Sequence, residues 1–156
     1  LLGAQGHTVI TGGYIGVMEA ASRGCNEAGG QVVGMTSSDI EHWRGTKVNR
    51  WVQEEHHFPI LRERLHALID ACEAAVVMPG GVGTLCEVMV MWNEMIIDHN
   101  PPRPLIIVGK EWQAVIEQLF TSQGIFIGEK ERELIQMVPD VDSAFEQLTK
   151  AYHREI

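Results

Sequence analysis

The stretch that decides the fold is AAVVMPGGVGTLCEVMVMWNEM, residues 74–95. An apolar run of strand type meets a glycine-rich turn, and the turn leads into a segment that is apolar over most of a helical circumference. A second stretch, TVITGGYIGVMEAASRGCNEAGG from residue 8, repeats the order of strand, paired glycines and helix. One such loop is weak support, because glycines end strands for many reasons. Two in a short chain predict a site built from strand ends.

Two periodicities alternate along the whole chain. Apolar runs of strand type predict strands at residues 7–11, 31–36, 50–55, 74–78, 105–109 and 134–138. Apolar residues at helical spacing predict helices at residues 16–28, 60–72, 84–98, 111–121 and 141–153. This alternation predicts an α/β fold, a Rossmann-like doubly wound parallel sheet in three αβα layers. The longest stretch without a pattern is SSDIEHWRGTKVN, residues 37–49.

The length of the chain predicts one domain. At 156 residues it can build one core but not two comfortable ones, so we expect a single α/β domain over residues 1–156. The opening residues 1–6, LLGAQG, are typical of the end of a helix closed by Gly6. The first strand of a doubly wound sheet lies near its centre. We therefore expect that this strand is missing from the chain as given, and that either further residues or another segment supply it.

The balance of charged residues limits the kinds of molecule that this chain is expected to bind. Twelve Lys and Arg face 21 Asp and Glu, and the formal charge is -9 without a basic run. This balance disfavours nucleic acids and anionic membranes as partners. The three cysteines, Cys25, Cys72 and Cys86, form no C-x-x-C pair, which favours a reducing compartment over a disulfide framework. With no signal-peptide pattern and no apolar run of about 18 residues, the cytoplasm is the expected location.

The loop PGGVGT, residues 79–84, has the composition of a phosphate site. Its glycines would let a ligand approach bare backbone, and the helix predicted to begin at Thr84 would offer unpaired N–H groups. The predicted ligands are the backbone groups of Gly80, Gly81, Val82, Gly83 and Thr84. The loop is neither a dinucleotide fingerprint, because Cys86 stands where glycine is needed, nor a P-loop, because no lysine follows. A tight turn without a ligand is the alternative.

Glu87 follows this loop and has two interpretations. Thr84 and Glu87 fit a capping box, in which the glutamate only closes the start of the helix. On a helical wheel, however, Glu87, Glu94 and Asp98 form one narrow acidic stripe on an otherwise apolar helix. Glu87 is the member nearest the loop, so it is also a candidate catalytic acid. The sequence leaves both interpretations open.

The apolar helix that carries Glu87 predicts a homodimer. Apolar residues cover about two-thirds of its circumference, and one sheet face covers roughly a third to a half of a helix. The apolar side chains that the sheet does not cover must then be buried against another surface, such as a second subunit. The candidates for that surplus are Met91, Met95, Val90 and Ile97.

The predicted helix at residues 60–72 supplies a candidate cation. Its expected core stripe is Leu61, Leu65, Leu68 and Cys72. Arg62 and Arg64 border that stripe on opposite sides. Arg64 shares its flank with two alanines, which would leave room for a ligand, whereas a surface arginine is the alternative for either position.

Metal binding is not predicted. His56 and His57 are adjacent, and His42, His66 and His99 show no ligand spacing. Cys86 could be a nucleophile at a helix start, but the sequence places no histidine beside it. We therefore expect neither a metal nor a cofactor.

The residues described above carry a family resemblance over about residues 5–125. PGGVGTLCE resembles the PGGxGTxxE signature of the Lonely Guy family, the cytokinin riboside 5′-monophosphate phosphoribohydrolases, long labelled lysine decarboxylases. TGGYIGVMEAASRGCNEAGGQVVGMT resembles the second glycine block of that family, with Gly12, Gly13 and Gly16. The resemblance implies hydrolysis of a nucleoside 5′-monophosphate such as AMP to free base and ribose 5-phosphate. It assigns the action on the ribose to Arg64 and Glu87.

The chain departs from the family pattern at three positions. Leu65 stands where a lysine usually follows the arginine, Cys86 replaces a frequent second acid, and Thr11 replaces the first glycine of a triplet. Related proteins of this fold only bind, notably molybdenum-cofactor carriers. The alternatives are therefore a non-catalytic nucleotide or molybdenum-cofactor carrier and, third, a structural assembly protein.

Overall fold

A computed structural model describes residues 1–97 and 103–152 of the chain. The chain divides into two compact units, Leu1–Cys72 and Glu73–Ile156. Each unit has one three-stranded sheet in which all paired strands are parallel. Helices connect successive strands, so the predicted α/β class with parallel strands is confirmed. The single domain over residues 1–156 stays a prediction.

The first unit forms a sheet of order β1-β2-β3. Its elements are β1 (Val9–Thr11), α1 (Val17–Glu27), β2 (Val32–Ser37), α2 (Ser38–Arg44), β3 (Glu54–Phe58) and α3 (Leu61–Asp70). Every residue of β2 is buried, which explains why its sequence is a continuous run rather than an alternation. A short 3-10 turn precedes β1 and ends at Gly6 with φ 81°, as the sequence predicts for a helix end closed by this glycine.

The second unit forms a sheet of order β4-β5-β6. Its elements are β4 (Ala75–Val77), α4 (Val82–Ile97), β5 (Leu105–Val108), α5 (Lys110–Gln123), α6 (Glu129–Arg132), β6 (Ile135–Val138) and α7 (Val141–Tyr152). The central strand β5 is buried at all four residues. Helices α5 and α7 supply further core side chains, namely Trp112, Ile116, Ala144 and Leu148.

The third strand lies later than the sequence predicts. Residues 50–55 are the predicted strand, but β3 runs from Glu54 to Phe58. Asn49 Oδ1 accepts a hydrogen bond from Trp51 N at 3.1 Å, and this local turn diverts the chain before the strand begins. Gln53 then closes the gap, since its side chain accepts a hydrogen bond from Val32 N at 2.7 Å.

The stretch at residues 37–49, predicted to be irregular, contains helix α2. Ser37 caps its start, with its Oγ accepting from Ile40 N at 3.5 Å, and Gly45 ends it at φ 60°. Seven residues are too few for a helical period to stand out. The helix is also fixed from outside, because Asp39 Oδ2 accepts a hydrogen bond from Leu61 N at the start of α3.

Helix α4 buries more of its apolar surface than the sequence suggests. Met91 and Met95, two of the residues expected to be surplus, are only 2% and 8% exposed, so that expectation is wrong for them. Trp92 Nε1 donates to Glu131 O at 2.8 Å and fixes this side of the helix. Of the other two expected surplus residues, Val90 is partly buried and Ile97 remains 66% exposed. Asp98, the third member of the acidic stripe, lies outside the described residues.

Within residues 1–97 and 103–152, the helices are all too short or too polar to cross a membrane.

Candidate functional site

The second glycine block forms a tight loop at the carboxyl end of β1. Gly13 has φ 76°, and a Cβ added to it would lie 2.9 Å from Thr36 Cγ2. Gly16 has φ 78° and is the last residue before α1. Both positions favour glycine because L side chains rarely adopt these angles. The loop therefore brings bare backbone directly from a strand end to a helix start.

Two buried polar side chains hold this loop in place. The Tyr14 hydroxyl donates to Ser37 O at 3.1 Å and accepts from Ser37 N at 2.7 Å, which ties the loop to the end of β2. Burial raises the pKa of Tyr14, so the hydroxyl keeps its proton and both hydrogen bonds. Asn49 Nδ2 donates to the carbonyls of Gly13 and Tyr14, each at 3.0 Å. Sequence patterns gave no signal for Asn49, because its partners lie more than 30 residues away along the chain.

Arg64 is buried beside the same loop. It is only 6% exposed, and its Nε donates to Met35 O in β2 at 3.0 Å. A Cβ on Gly12 would collide with the Arg64 guanidinium and would lie 2.6 Å from Met18 Sδ. The structure therefore brings together two residues of the predicted site, Gly12 and Arg64. The exposed Arg62 takes no part in this packing.

The buried face of α3 differs from the predicted stripe. Leu61 was expected in the core but is the first residue of α3 and is 48% exposed. Arg64 and Ile69 are the fully buried positions instead. An arginine is rarely buried unless its charge is paired or hydrogen-bonded. Its position beside the glycine loop at the end of β1 makes this cation a candidate for holding an anionic ligand.

The PGGVGT loop of the second unit lies between β4 and α4. The helix begins at Val82, two residues earlier than predicted, and Leu85 N donates to Gly81 O at 3.0 Å as its first helical hydrogen bond. The N–H groups of residues 82–84 therefore have no acceptor within the helix. Thr84 lies inside the first turn, so it cannot be the cap of a capping box with Glu87. That interpretation of Glu87 is wrong.

The structure restricts the glycine positions of this loop to different degrees. A Cβ on Gly80 would collide with Thr84 Oγ1, because the threonine side chain folds back over the loop. Gly81 and Gly83 have no atom within 4 Å of such a Cβ, and neither has a positive φ. Packing in the described chain therefore does not require glycine at these two positions. A ligand that contacts the loop backbone would require it, and unpaired N–H groups at a helix start favour an anion.

Glu87 lies in the second turn of α4 and is partly buried. The structure thus places the predicted residues in two sets, each described within its own unit. Gly12, Gly13, Gly16 and Arg64 belong to the first unit, and Gly80, Gly81, Val82, Gly83, Thr84 and Glu87 belong to the second.

The chain matches known proteins over most of its length. Residues 18–148 match the sequence profile of the family described as possible lysine decarboxylase. A cytokinin riboside 5′-monophosphate phosphoribohydrolase of Mycobacterium marinum is 30% identical over 94 residues, 60% of this chain and 49% of that protein. A probable enzyme of the same name from Oryza sativa subsp. japonica is 27% identical over 95 residues, 60% of this chain and 38% of that protein. The matched part of the chain thus spans half or less of these curated relatives.

A solved structure shares the fold. The molybdenum cofactor binding protein of Rippkaea orientalis has a TM-score of 0.74 with this chain, at 19% identity, over 97% of this chain and 81% of that protein. At this identity the likeness shows the fold alone, and it agrees with the Rossmann-like α/β class that the sequence predicts.

Substituting Gly12 tests the packing of Arg64. Gly12→Ala should lower the free energy of unfolding by about 1–3 kcal/mol, because its methyl group overpacks against the guanidinium and Met18. Urea denaturation measures this loss. Gly24→Ala is the matched control, since Gly24 lies in α1 with open space around it and alanine favours a helix by about 1 kcal/mol. Equal stability of Gly12→Ala and the wild type would contradict the described contact.

Proposed function

This chain belongs to the Lonely Guy family, whose profile carries the description possible lysine decarboxylase, and from that membership we propose that it is a nucleoside 5′-monophosphate phosphoribohydrolase. Water would cleave the N-glycosidic bond and release a free base and ribose 5-phosphate. The observation that carries this proposal is Arg64, a buried cation packed against the glycine loop of its own unit. AMP is the substrate we propose to test first.

Arg64 would hold the phosphate-bearing ribose. Its Nε is committed to Met35 O, which fixes the plane of the guanidinium and turns its other edge toward Gly12. A planar, always-charged guanidinium is well suited to bidentate contact with phosphate oxygens. Gly16 is exposed with open space around it, so a ligand could approach its backbone, whereas Gly12 and Gly13 are buried and let the arginine and the strand end pack closely.

The PGGVGT loop would bind the remaining phosphate oxygens through backbone. The N–H groups at the start of α4 lack helical acceptors and lie at the positive end of the helix dipole. Gly81 and Gly83 leave that backbone open to a ligand. This local arrangement compensates for the overall formal charge of -9, which would otherwise repel an anionic substrate.

Glu87 would act on the sugar. Cleavage of an N-glycosidic bond passes through a state with positive charge on the ribose, so a nearby carboxylate lowers the barrier. The same carboxylate could hydrogen-bond the ribose hydroxyls and take a proton from the attacking water. Hydrolysis of this kind needs no cofactor.

A non-catalytic carrier of a nucleotide or molybdenum cofactor is the second candidate. The fold likeness to a molybdenum cofactor binding protein favours it, as does the replacement of an acid by Cys86 before Glu87. Incubation with a panel of nucleoside 5′-monophosphates separates the two functions. Free base and ribose 5-phosphate in equal amounts support the hydrolase, whereas binding without release of base supports the carrier.

Charge and cysteine spacing support a cytoplasmic location, which we propose with either function.

We also propose that the chain forms a homodimer through the end of α4, where Ile96 and Ile97 are exposed. Adjacent exposed apolar side chains of this size favour burial against a partner, and a two-fold contact is the simplest closure. Light scattering at micromolar concentration should give about twice 17.4 kDa for the wild type. Ile97→Lys should reduce the mass to that of one chain. A wild-type mass of 17.4 kDa that Ile97→Lys leaves unchanged would contradict the dimer.

Removing the charge of Glu87 tests its catalytic role. Glu87→Gln is nearly isosteric, so it should preserve the unfolding midpoint and reduce turnover of AMP by roughly 10²- to 10⁴-fold, the range for a positioned acid–base group. Glu94→Gln is the control, because Glu94 lies on the same helix and pairs with Arg103 at 3.6 Å. Full activity of Glu87→Gln, or an equal loss in both variants, would exclude the assigned role.

Comparing the two arginines tests phosphate binding. Arg64→Lys should weaken binding of AMP much more than binding of adenosine, because a lysine keeps the charge but cannot reproduce the fixed guanidinium plane. Arg62→Lys should change neither, since Arg62 is exposed. Isothermal titration calorimetry measures both ligands, and circular dichroism checks that each variant is folded. Losses of equal size for AMP and adenosine would show that Arg64 does not bind the phosphate.

A further inference from the structure

A second polar cluster lies at the carboxyl edge of the first sheet and takes no part in the proposed hydrolysis. Glu55 and His57 are two residues apart on β3, so their side chains leave the same face of the strand, and Glu41 joins them from α2. One ligand atom of each lies within 4.8 Å of the other two. We propose that this Glu41–Glu55–His57 cluster binds a divalent transition-metal ion, with Zn²⁺ as the probe of first choice.

The distances centre on one imidazole nitrogen. His57 Nδ1 is 3.8 Å from Glu55 Oε1 and 4.0 Å from Glu41 Oε1. Bonds from Zn²⁺ to nitrogen and carboxylate oxygen are about 2.0–2.2 Å, so the three atoms need only small inward rotations to share an ion. One imidazole and two carboxylates form a mixed nitrogen and oxygen set, which suits zinc and its neighbours in the first transition row better than calcium.

The carboxylate of Glu41 has one oxygen directed at a lysine and the other directed at His57. Its side chain is only 13% exposed, and its Oε2 accepts from Lys47 Nζ at 2.7 Å. Its other oxygen, Oε1, faces His57 and accepts no hydrogen bond from the residues that the structure describes. Among the described residues no buried side-chain oxygen lacks a partner, so this oxygen is open to solvent and a metal ion could reach it.

The charge of the cluster also favours a cation. Two carboxylates with oxygens within 4.8 Å of each other repel. Lys47 compensates one of the two charges but is 85% exposed, so solvent screens much of its effect. A divalent ion would neutralise the cluster at its centre.

Two hydroxyls orient the candidate ligands. Thr36 is fully buried and lies opposite His57 in the β2–β3 register. Its Oγ1 is 2.6 Å from Glu55 Oε1 and 2.8 Å from His57 Nδ1, while Ser38 Oγ is 3.0 Å from His57 Nε2. An ion on Nδ1 would replace the contact of that nitrogen with Thr36, while the Nε2–H would donate to Ser38 and the Thr36 hydroxyl would keep donating to Glu55. This is the supporting shell that metal-binding histidines use, and forming it needs a change of tautomer without a backbone shift.

The cluster also has a path to solvent. Ser38, Glu41 and Lys47 line a cleft of about 400 Å³, together with His42, Gly45 and Thr46. Of the three candidate ligands only Glu41 lines this cleft, while Glu55 and His57 are themselves exposed, so an ion and its water ligands can reach the cluster from solvent. A bound ion would tie the seven-residue helix α2 to β3.

The sequence did not predict this cluster for a structural reason. Histidine spacing carries no signal for it, because two of the three ligands are glutamates and one of them comes from α2, in a stretch where no helix was expected. The metal proposal does not rest on the proposed hydrolase function, since neither Arg64 nor Glu87 belongs to the cluster.

Zinc titration of the metal-free chain tests the proposal. After dialysis against a chelator, calorimetry should show one tight Zn²⁺ site per chain. Glu41→Gln and His57→Gln should each weaken that site by at least about tenfold, because each removes a direct ligand. Co²⁺ should bind the same site and give an absorption spectrum without a thiolate charge-transfer band, which distinguishes it from binding to the cysteines.

A neighbouring pair of the same residue types gives the matched control. His56 Nε2 lies 2.6 Å from Glu54 Oε1 at the adjacent positions of β3, so His56→Gln removes an exposed histidine without touching the cluster. Zn²⁺ affinity should be unchanged in this variant, and circular dichroism of all variants without metal should match the wild type. Absence of a one-to-one site, or an equal loss in His56→Gln and His57→Gln, would show that the cluster is a hydrogen-bonded network only.

Discussion

The packing of a buried arginine against a residue without a side chain is the constraint on which the first unit depends. The Arg64 guanidinium occupies the space where a Cβ of Gly12 would lie, and the Met35 carbonyl fixes its Nε. A charge can be buried only where polar groups meet it. The glycine at position 12 is therefore a structural requirement for burying the arginine, and it places a positive charge directly against the loop.

The two glycine loops satisfy different physical demands. In the first, positive φ at Gly13 and Gly16 and the close approach at Gly12 make glycine necessary for the fold itself. In the second, only Gly80 is restricted by a neighbour, while Gly81 and Gly83 have open space around them. Function is the better explanation for a glycine that packing does not need. This contrast separates the part of the proposed site that supports the fold from the part that would meet a ligand.

The carboxyl edge of the first sheet gathers more polar side chains than phosphate binding requires. Tyr14 ties the first loop to Ser37, and the next residue, Ser38, supports His57. Thr36 is buried among them with every polar contact satisfied within the network. Because buried polar groups are costly unless paired, such a network fixes one arrangement of side chains. The proposed metal site would use that order, with the ion taking the place of the Thr36 contact on His57 Nδ1.

The sequence by itself determined the order of the strands and of the longer helices, the parallel α/β class, and the identity of Gly12 and Arg64 as candidate site residues. These follow from local information, namely periodicity, glycine turns and motif spacing. Tertiary structure alone decided that Arg64 is buried while Leu61 is exposed, that Met91 and Met95 are core, and that α4 begins at Val82. It also decided the partners of Asn49 and the meeting of Glu41 with His57. The reason is physical: burial and side-chain contacts depend on residues far apart in the chain, and a helix of seven residues such as α2 is fixed by its caps and neighbours rather than by its own period.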